Sequence, residues 1–213
     1  MSTRRRRKLK HSNSSFITDL KFLYPQTLHD VNSEKAKYPL YNITYGELTY
    51  DGLESVYREV LNVLQYKPHF YIDIGSGRGK TCLFMASKEN IDECVGIELV
   101  QSRYDDSIKM QRELHIYPES EKVTFLNADF FEVSLKTIIY ATPVFVWISN
   151  LCFGEELTNN IFKKLAKELP NGSIVCSSKP FTIDISLFKL ERVSKHKMSW
   201  SNASDVHFYI FFE

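Results

Sequence analysis

The chain has 213 residues, room for one domain with a small appendage. Hydrophobic residues make up 43% and charged residues 25%, a balance that argues against a disordered or fibrous chain. No run of 18 apolar residues occurs and no apolar core follows the basic start, so neither a membrane span nor a secretory leader is expected.

The formal net charge of +1 hides an uneven distribution. Arg4, Arg5, Arg6, Arg7, Lys8 and Lys10 are six of the 27 basic residues and have no acid among them, which leaves the remainder at net −5. A dense arginine run is either a solvated tail or an arm for nucleic acid or nuclear import. Cys82, Cys94, Cys152 and Cys176 form no CxxC pair and lie in or beside apolar stretches, so buried free thiols are expected. The six histidines show no metal-ligand spacing, and no metal site is predicted.

Residues 1–15 lack apolar periodicity and read as a disordered basic tail. Residues 16–48 read as a small helical and loop segment, with Phe16, Ile17, Leu20 and Leu23 on one side and Pro25 as a break. The main domain is expected from 49 to 213. It opens with a helix to about Tyr66 whose stripe is Leu53, Val56, Tyr57, Val60, Leu61 and Leu64. Five strands then alternate with helices, at 69–74, 94–98, 122–126, 143–149 and 172–177. The clearest helix follows Gly154, with Leu157, Ile161, Phe162, Leu165 and Leu169 on one face, and Pro170-Asn171-Gly172 stops it. Apolar runs at 187–193 and 206–212 add late strands. This pattern predicts an α/β fold with a mostly parallel sheet and an antiparallel C-terminal addition.

The strand ending at Asp73-Ile74 runs into Gly75-Ser76-Gly77-Arg78-Gly79-Lys80, where glycines let backbone approach a ligand closely. The spacing is GxGxG, one residue short of the dinucleotide fingerprint. It is similar to the S-adenosylmethionine (SAM) loop of Rossmann-like class I methyltransferases. Glu98 ends the next strand 23 residues after Gly75, near the roughly 20-residue offset of a ribose-binding acid. Asp129-Phe130 ends the third, where a carboxylate can accept from an adenine amine and a ring can cover the base. Any one such acid can be a solvated strand end. Three in this order after a GxGxG loop point to SAM.

Further segments narrow the resemblance. Tyr45-Gly46-Glu47 precedes the first long helix, and the fourth strand carries Val144-Phe145-Val146-Trp147-Ile148-Ser149-Asn150-Leu151-Cys152-Phe153-Gly154. Ser177-Ser178-Lys179-Pro180-Phe181 and Ser199-Trp200 come later. From about Tyr38 onward the chain resembles the Dot-type, non-SET histone H3 lysine methyltransferases. Those proteins carry a YGE loop, DxGSGxGQ, GxE, DF, VNNFxFG, SSKPF and a late SW. The resemblance implies that Tyr45, Gly46, Glu47 and Leu48 close over SAM, and that Asp73, Gly75, Ser76, Gly77, Gly79 and Lys80 cradle its methionine part. It implies Glu98 on the ribose and Asp129 and Phe130 on adenine. Asn150 and Ser149 would be catalytic, with Phe153, Trp200, Phe208 and Tyr209 along a channel for the target lysine.

The implied function is methyl transfer to a globular-core lysine of histone H3 in nucleosomes, by a nuclear monomer whose basic tail holds DNA. Three departures bear on it. The doubled asparagine is Ser149-Asn150, the glutamine after the glycine loop is Lys80, and the run after Trp200 aligns loosely, with Phe208 in place of a channel tyrosine. Two other readings therefore stand beside it. One is a nucleic-acid base-amine methyltransferase, since Asn150 lies three residues from Phe153. The other is a weakly catalytic SAM-binding protein associated with nucleosomes.

Overall fold

The computed structural model describes residues 13–24, 46–64, 66–140, 143–183 and 186–212. The tail residues Arg4, Arg5, Arg6, Arg7, Lys8 and Lys10, and Tyr45, lie outside them. Helix α1 (Asn13–Leu23) precedes α2 (Tyr50–Val63), β1 (Phe70–Ile74), α3 (Lys80–Ala86), β2 (Glu93–Glu98), α4 (Gln101–Glu113) and β3 (Val123–Asn127). Next come the short α5 (Leu135–Ile138), β4 (Val144–Ile148), α6 (Glu155–Glu168), β5 (Ile174–Ser177), β6 (Phe188–Met198) and β7 (Ser201–Phe211). All five predicted parallel strands are present. Helix α1 begins at Asn13, inside the stretch expected to be disordered, because Phe16 and Leu20 are fully buried and dock it on the domain. The late strands are longer than the apolar runs imply and pair as one hairpin.

The sheet order is β3-β2-β1-β4-β5-β7-β6, with β1 to β5 parallel and β7 antiparallel between β5 and β6. Strands β1 and β4 are buried at every position, as expected of central parallel strands covered on both faces. Alternate side chains feed two cores. Tyr71, Phe145, Trp147, Cys176 and Phe208 pack with α1, α2 and α3. Ile72, Val146, Ile148, Val175 and Tyr209 pack with Phe162 and Leu165 of α6 on the other side. The order reverses between β1 and β4, the place where open α/β sheets bind ligands at their carboxyl ends.

The hairpin is tied to α2. Thr49 caps α2 by accepting from the Gly52 N–H (3.1 Å), and its own N–H donates to the Lys197 carbonyl (3.1 Å). Behind it, buried His196 meets Ser55 through Nδ1 (3.0 Å) and Ser194 through Nε2 (2.8 Å). Burial lowers the His196 pKa below its ordinary 6.5, with Glu59 pulling up and Arg192 down. The unfolded chain then binds the extra proton more readily, so stability falls as pH drops below about 6.5 and is retained above it. Urea melts of wild type and His196→Gln should show a shallower acid slope in the variant. Equal slopes would assign the acid sensitivity to other groups.

Candidate functional site

The glycine loop is built by backbone geometry. Gly75, Gly77 and Gly79 all have positive φ, at 78°, 56° and 82°. Gly75 and Ser76 both donate to the Ile97 carbonyl (2.9 and 3.0 Å), and Gly77 donates to Glu98 Oε2 (2.7 Å). The loop is thus strapped to the end of β2. At Gly79, a Cβ would lie 2.4 Å from the Phe125 ring, so only glycine serves both the left-handed turn and the packing.

Above this loop is a cavity of about 350 Å³. Its floor is Asp73, Ile74, Gly75, Ser76, Gly77 and Thr81. One wall runs from Ile97 to Val100 with Arg103, and continues through Ala128, Asp129, Phe130 and Phe131. The other is Trp147, Ser149, Phe153, Leu157 and Ile161, and Gly46, Glu47 and Leu48 close it.

Asp73 is buried, and burial first, then Glu98 and Glu47, hold its carboxyl well above the ordinary 3.8; the Thr81 and Tyr71 hydroxyls pull the other way. A cation bound in the cavity would favour the ionised form of this carboxyl. Glu98 accepts from Gly77 N–H on one oxygen and from Val100 N–H (2.8 Å) on the other, fixing the loop and the start of α4 together. Asp129 Oδ1 accepts from Phe131 N–H (2.9 Å), which shapes the turn that presents both rings. Ser76 Oγ is buried and has no hydrogen-bond partner among the described residues. A polar ligand with hydroxyls and an amine meets this set of groups.

The structure brings most of the expected residues together: Gly46, Glu47, Leu48, Asp73, Gly75, Ser76, Gly77, Glu98, Asp129, Phe130, Ser149 and Phe153 line the cavity. Gly79 and Lys80 stand behind it. The Lys80 ammonium, expected near the cofactor, is paired with the Glu47 carboxylate instead. Asn150 is fully buried and turned away: its Oδ1 accepts from Lys179 N–H and its Nδ2 donates to the Lys179 carbonyl, both at 3.0 Å. Lys179 reciprocates by donating from Nζ to the Phe153 carbonyl.

Phe208 and Tyr209, expected in a substrate channel, are core residues. Phe208 is fully buried beside His196, and Tyr209 packs on Phe162 and Phe181, because adjacent residues of β7 face opposite sides of the sheet. Trp200 lies outside the cavity wall and covers Gly46, where a Cβ would meet its ring at 2.3 Å. Sequence reading missed Arg103, Phe131, Leu157 and Ile161 as lining residues. Arg103 lies on the buried stripe of α4 with Ser107 and Met110, which only the folded structure shows.

This strand order, with a site at the β1–β4 reversal, is the Rossmann-like fold of class I SAM-dependent methyltransferases. An RNA methyltransferase from Salinibacter ruber in complex with S-adenosyl-L-homocysteine superposes with a TM-score of 0.56 at 20% identity, covering 78% of this chain and 94% of that one. TrmK from M. capricolum with the same compound gives 0.55 at 13% identity, over 78% and 69%. A family model described as histone methylation protein DOT1 matches residues 24–211, and the chain belongs to that family. The histone-lysine N-methyltransferase, H3 lysine-79 specific, of Dictyostelium discoideum is 24% identical over 194 residues. That match covers 79% of this chain but only 10% of the relative's length.

Proposed function

We propose that the protein transfers a methyl group from SAM to the side-chain amine of a lysine in the globular core of histone H3 within nucleosomes. The observation that carries this reading is the cavity at the β1–β4 reversal, lined in part by Ser149 and Phe153, in a chain matching the family from 24 to 211. Family membership favours a histone over a nucleic-acid base as acceptor, and the nucleus as the place of action. The Arg4–Lys10 cluster supplies cations for nucleosomal DNA.

The residues present fit the cofactor. Asp73, Ser76 and Gly77 would take its methionine part, Glu98 its ribose, and Asp129, Phe130 and Phe131 its base. When bound, SAM supplies a methyl group on a sulfonium centre, an electrophile for a neutral amine. The chain's own work is then alignment, exclusion of water and proton removal. Orientation alone can be worth on the order of 7–11 kcal/mol. Phe153 and Ser149 flank the acceptor's path, and a lysine entering beside the apolar Trp147, Phe153 and Leu157 is desolvated, which lowers its pKa toward the neutral form. Asn150 acts as a positioning residue that holds the Ser149–Phe153 turn against the Lys179 turn.

The raised Asp73 pKa makes cofactor binding pH-dependent. A cation favours the ionised carboxylate, so SAM affinity rises with pH through the unliganded Asp73 pKa and levels off above it, with a proton released on binding below that point. Calorimetry in buffers of different ionisation enthalpy should detect that proton, and Asp73→Asn should abolish it. An unchanged pH profile in the variant would remove Asp73 from the site. The function itself is tested by labelled-methyl transfer to reconstituted nucleosomes, free histones, DNA and RNA in parallel. Label on H3 supports the proposal; label confined to nucleic acid replaces it with base-amine methylation.

A further inference from the structure

Lys80 is the first residue of α3 and only 3% exposed. Burial of an ammonium is costly unless it is paired, and a cation at a helix N-terminus also faces the wrong end of the dipole. Two groups offset this. The Glu47 carboxylate pairs with the Lys80 Nζ, and the Tyr50 ring lies 5.6 Å from that Nζ. Glu47 in turn belongs to the segment that closes the cavity.

That segment is held from its other side by the β6–β7 hairpin. Ser199 N–H donates to the Glu47 carbonyl (2.7 Å), and Glu47 N–H donates to Ser199 Oγ (3.1 Å). Leu48 bridges to Met198, and the Trp200 ring covers Gly46. The 46–48 wall is thus suspended between the hairpin and one buried charge on the helix that follows the glycine loop. It is tied to that helix by the Lys80–Glu47 pair and by buried Leu48, which shares a core with Cys82 and Leu83.

We propose that buried Lys80 and partly exposed Glu47 form a latch that closes the 46–48 wall over the cofactor and so sets cofactor affinity. The inference rests on the cofactor reading above. Lys80 is a positioning residue here: Glu47 stands between its ammonium and the cavity, so it acts through the wall rather than on the ligand. Removing Glu47 leaves the buried Lys80 ammonium without that carboxylate, removing Lys80 takes away the charge that draws Glu47 toward the helix, and removing both leaves no buried ammonium to satisfy.

A double-mutant cycle tests this. S-adenosyl-L-homocysteine is titrated into wild type, Lys80→Met, Glu47→Gln and the double variant, and hydrogen exchange is followed at the Thr49 and Ser199 amides. Each single variant should weaken binding about tenfold and speed that exchange, with the double variant binding no worse than the weaker single. Single effects that multiply in the double variant, or Lys80→Met binding and exchanging like wild type, would overturn the latch. If Lys80→Met does not fold, Glu47→Gln decides the matter through exchange at Thr49. Wild type that binds no ligand would contradict the cofactor reading, while the exchange arm, which needs no ligand, still tests the latch.

Discussion

Glu98→Gln is expected to leave the protein folded and to weaken S-adenosyl-L-homocysteine binding by roughly 100-fold. The Glu98 carboxylate is only 5% exposed and receives two backbone N–H groups, from Gly77 at 2.7 Å and Val100 at 2.8 Å. A glutamine has one carbonyl oxygen, so one of these donors would face an NH₂ group. Leaving a buried donor unsatisfied costs about 1–3 kcal/mol, which should appear as lowered stability in urea melts. Binding loses more, because ribose hydroxyls would then meet a neutral amide instead of a carboxylate. Two weakened charge-assisted bonds, at about 1.5 kcal/mol each, give the 100-fold figure. Calorimetric titration checks it, and affinity within about threefold of wild type would separate Glu98 from the ligand.

Asn150→Ala should reduce turnover by about 100-fold while changing cofactor affinity little. The side chain holds both backbone groups of Lys179, and the Lys179 carbonyl keeps a second donor in Ser177 Oγ (2.9 Å) whereas its N–H would be left alone. The stability loss should therefore be about 1–3 kcal/mol, the cost of one buried donor plus a lost bond. Turnover falls because the Ser149–Phe153 turn loses its tie to the Lys179 turn, and misplacement by about 1 Å is enough for a loss of that size. The pair of readouts is what discriminates. A side chain acting directly on the reacting amine would lose turnover with stability intact, and that result would return Asn150 to the reaction centre.

Asn150 also shows where sequence reading stops. Ser149 and Asn150 follow directly on a fully buried strand, and neighbouring residues there point to opposite sides. Ser149 lines the cavity and Asn150 does not, whereas the resemblance placed both there. Phe208 and Tyr209 pose the same problem on β7, where one ring enters each core. The glycine loop, Asp73, Glu98 and Asp129 were legible because their chemistry is local: an acid or a glycine at a strand end does one job within a few residues. The latch was not. Lys80 and Glu47 lie 33 residues apart, and the Glu47–Ser199 contact spans 152, so only the folded sheet brings them together. The parallel strands could be read from apolar runs, whereas the hairpin's extent could not. Much of β6 is exposed and polar, and pairing with β7 rather than hydrophobicity makes it a strand.

The identity of the methylated group is the most direct test of the proposed activity. Nucleosomes incubated with the protein and isotopically labelled SAM, digested and mapped by mass spectrometry, should carry the label on a lysine side-chain nitrogen within the folded core of H3. Label found only on DNA, only on histone tails, or nowhere despite measured SAM binding would contradict it.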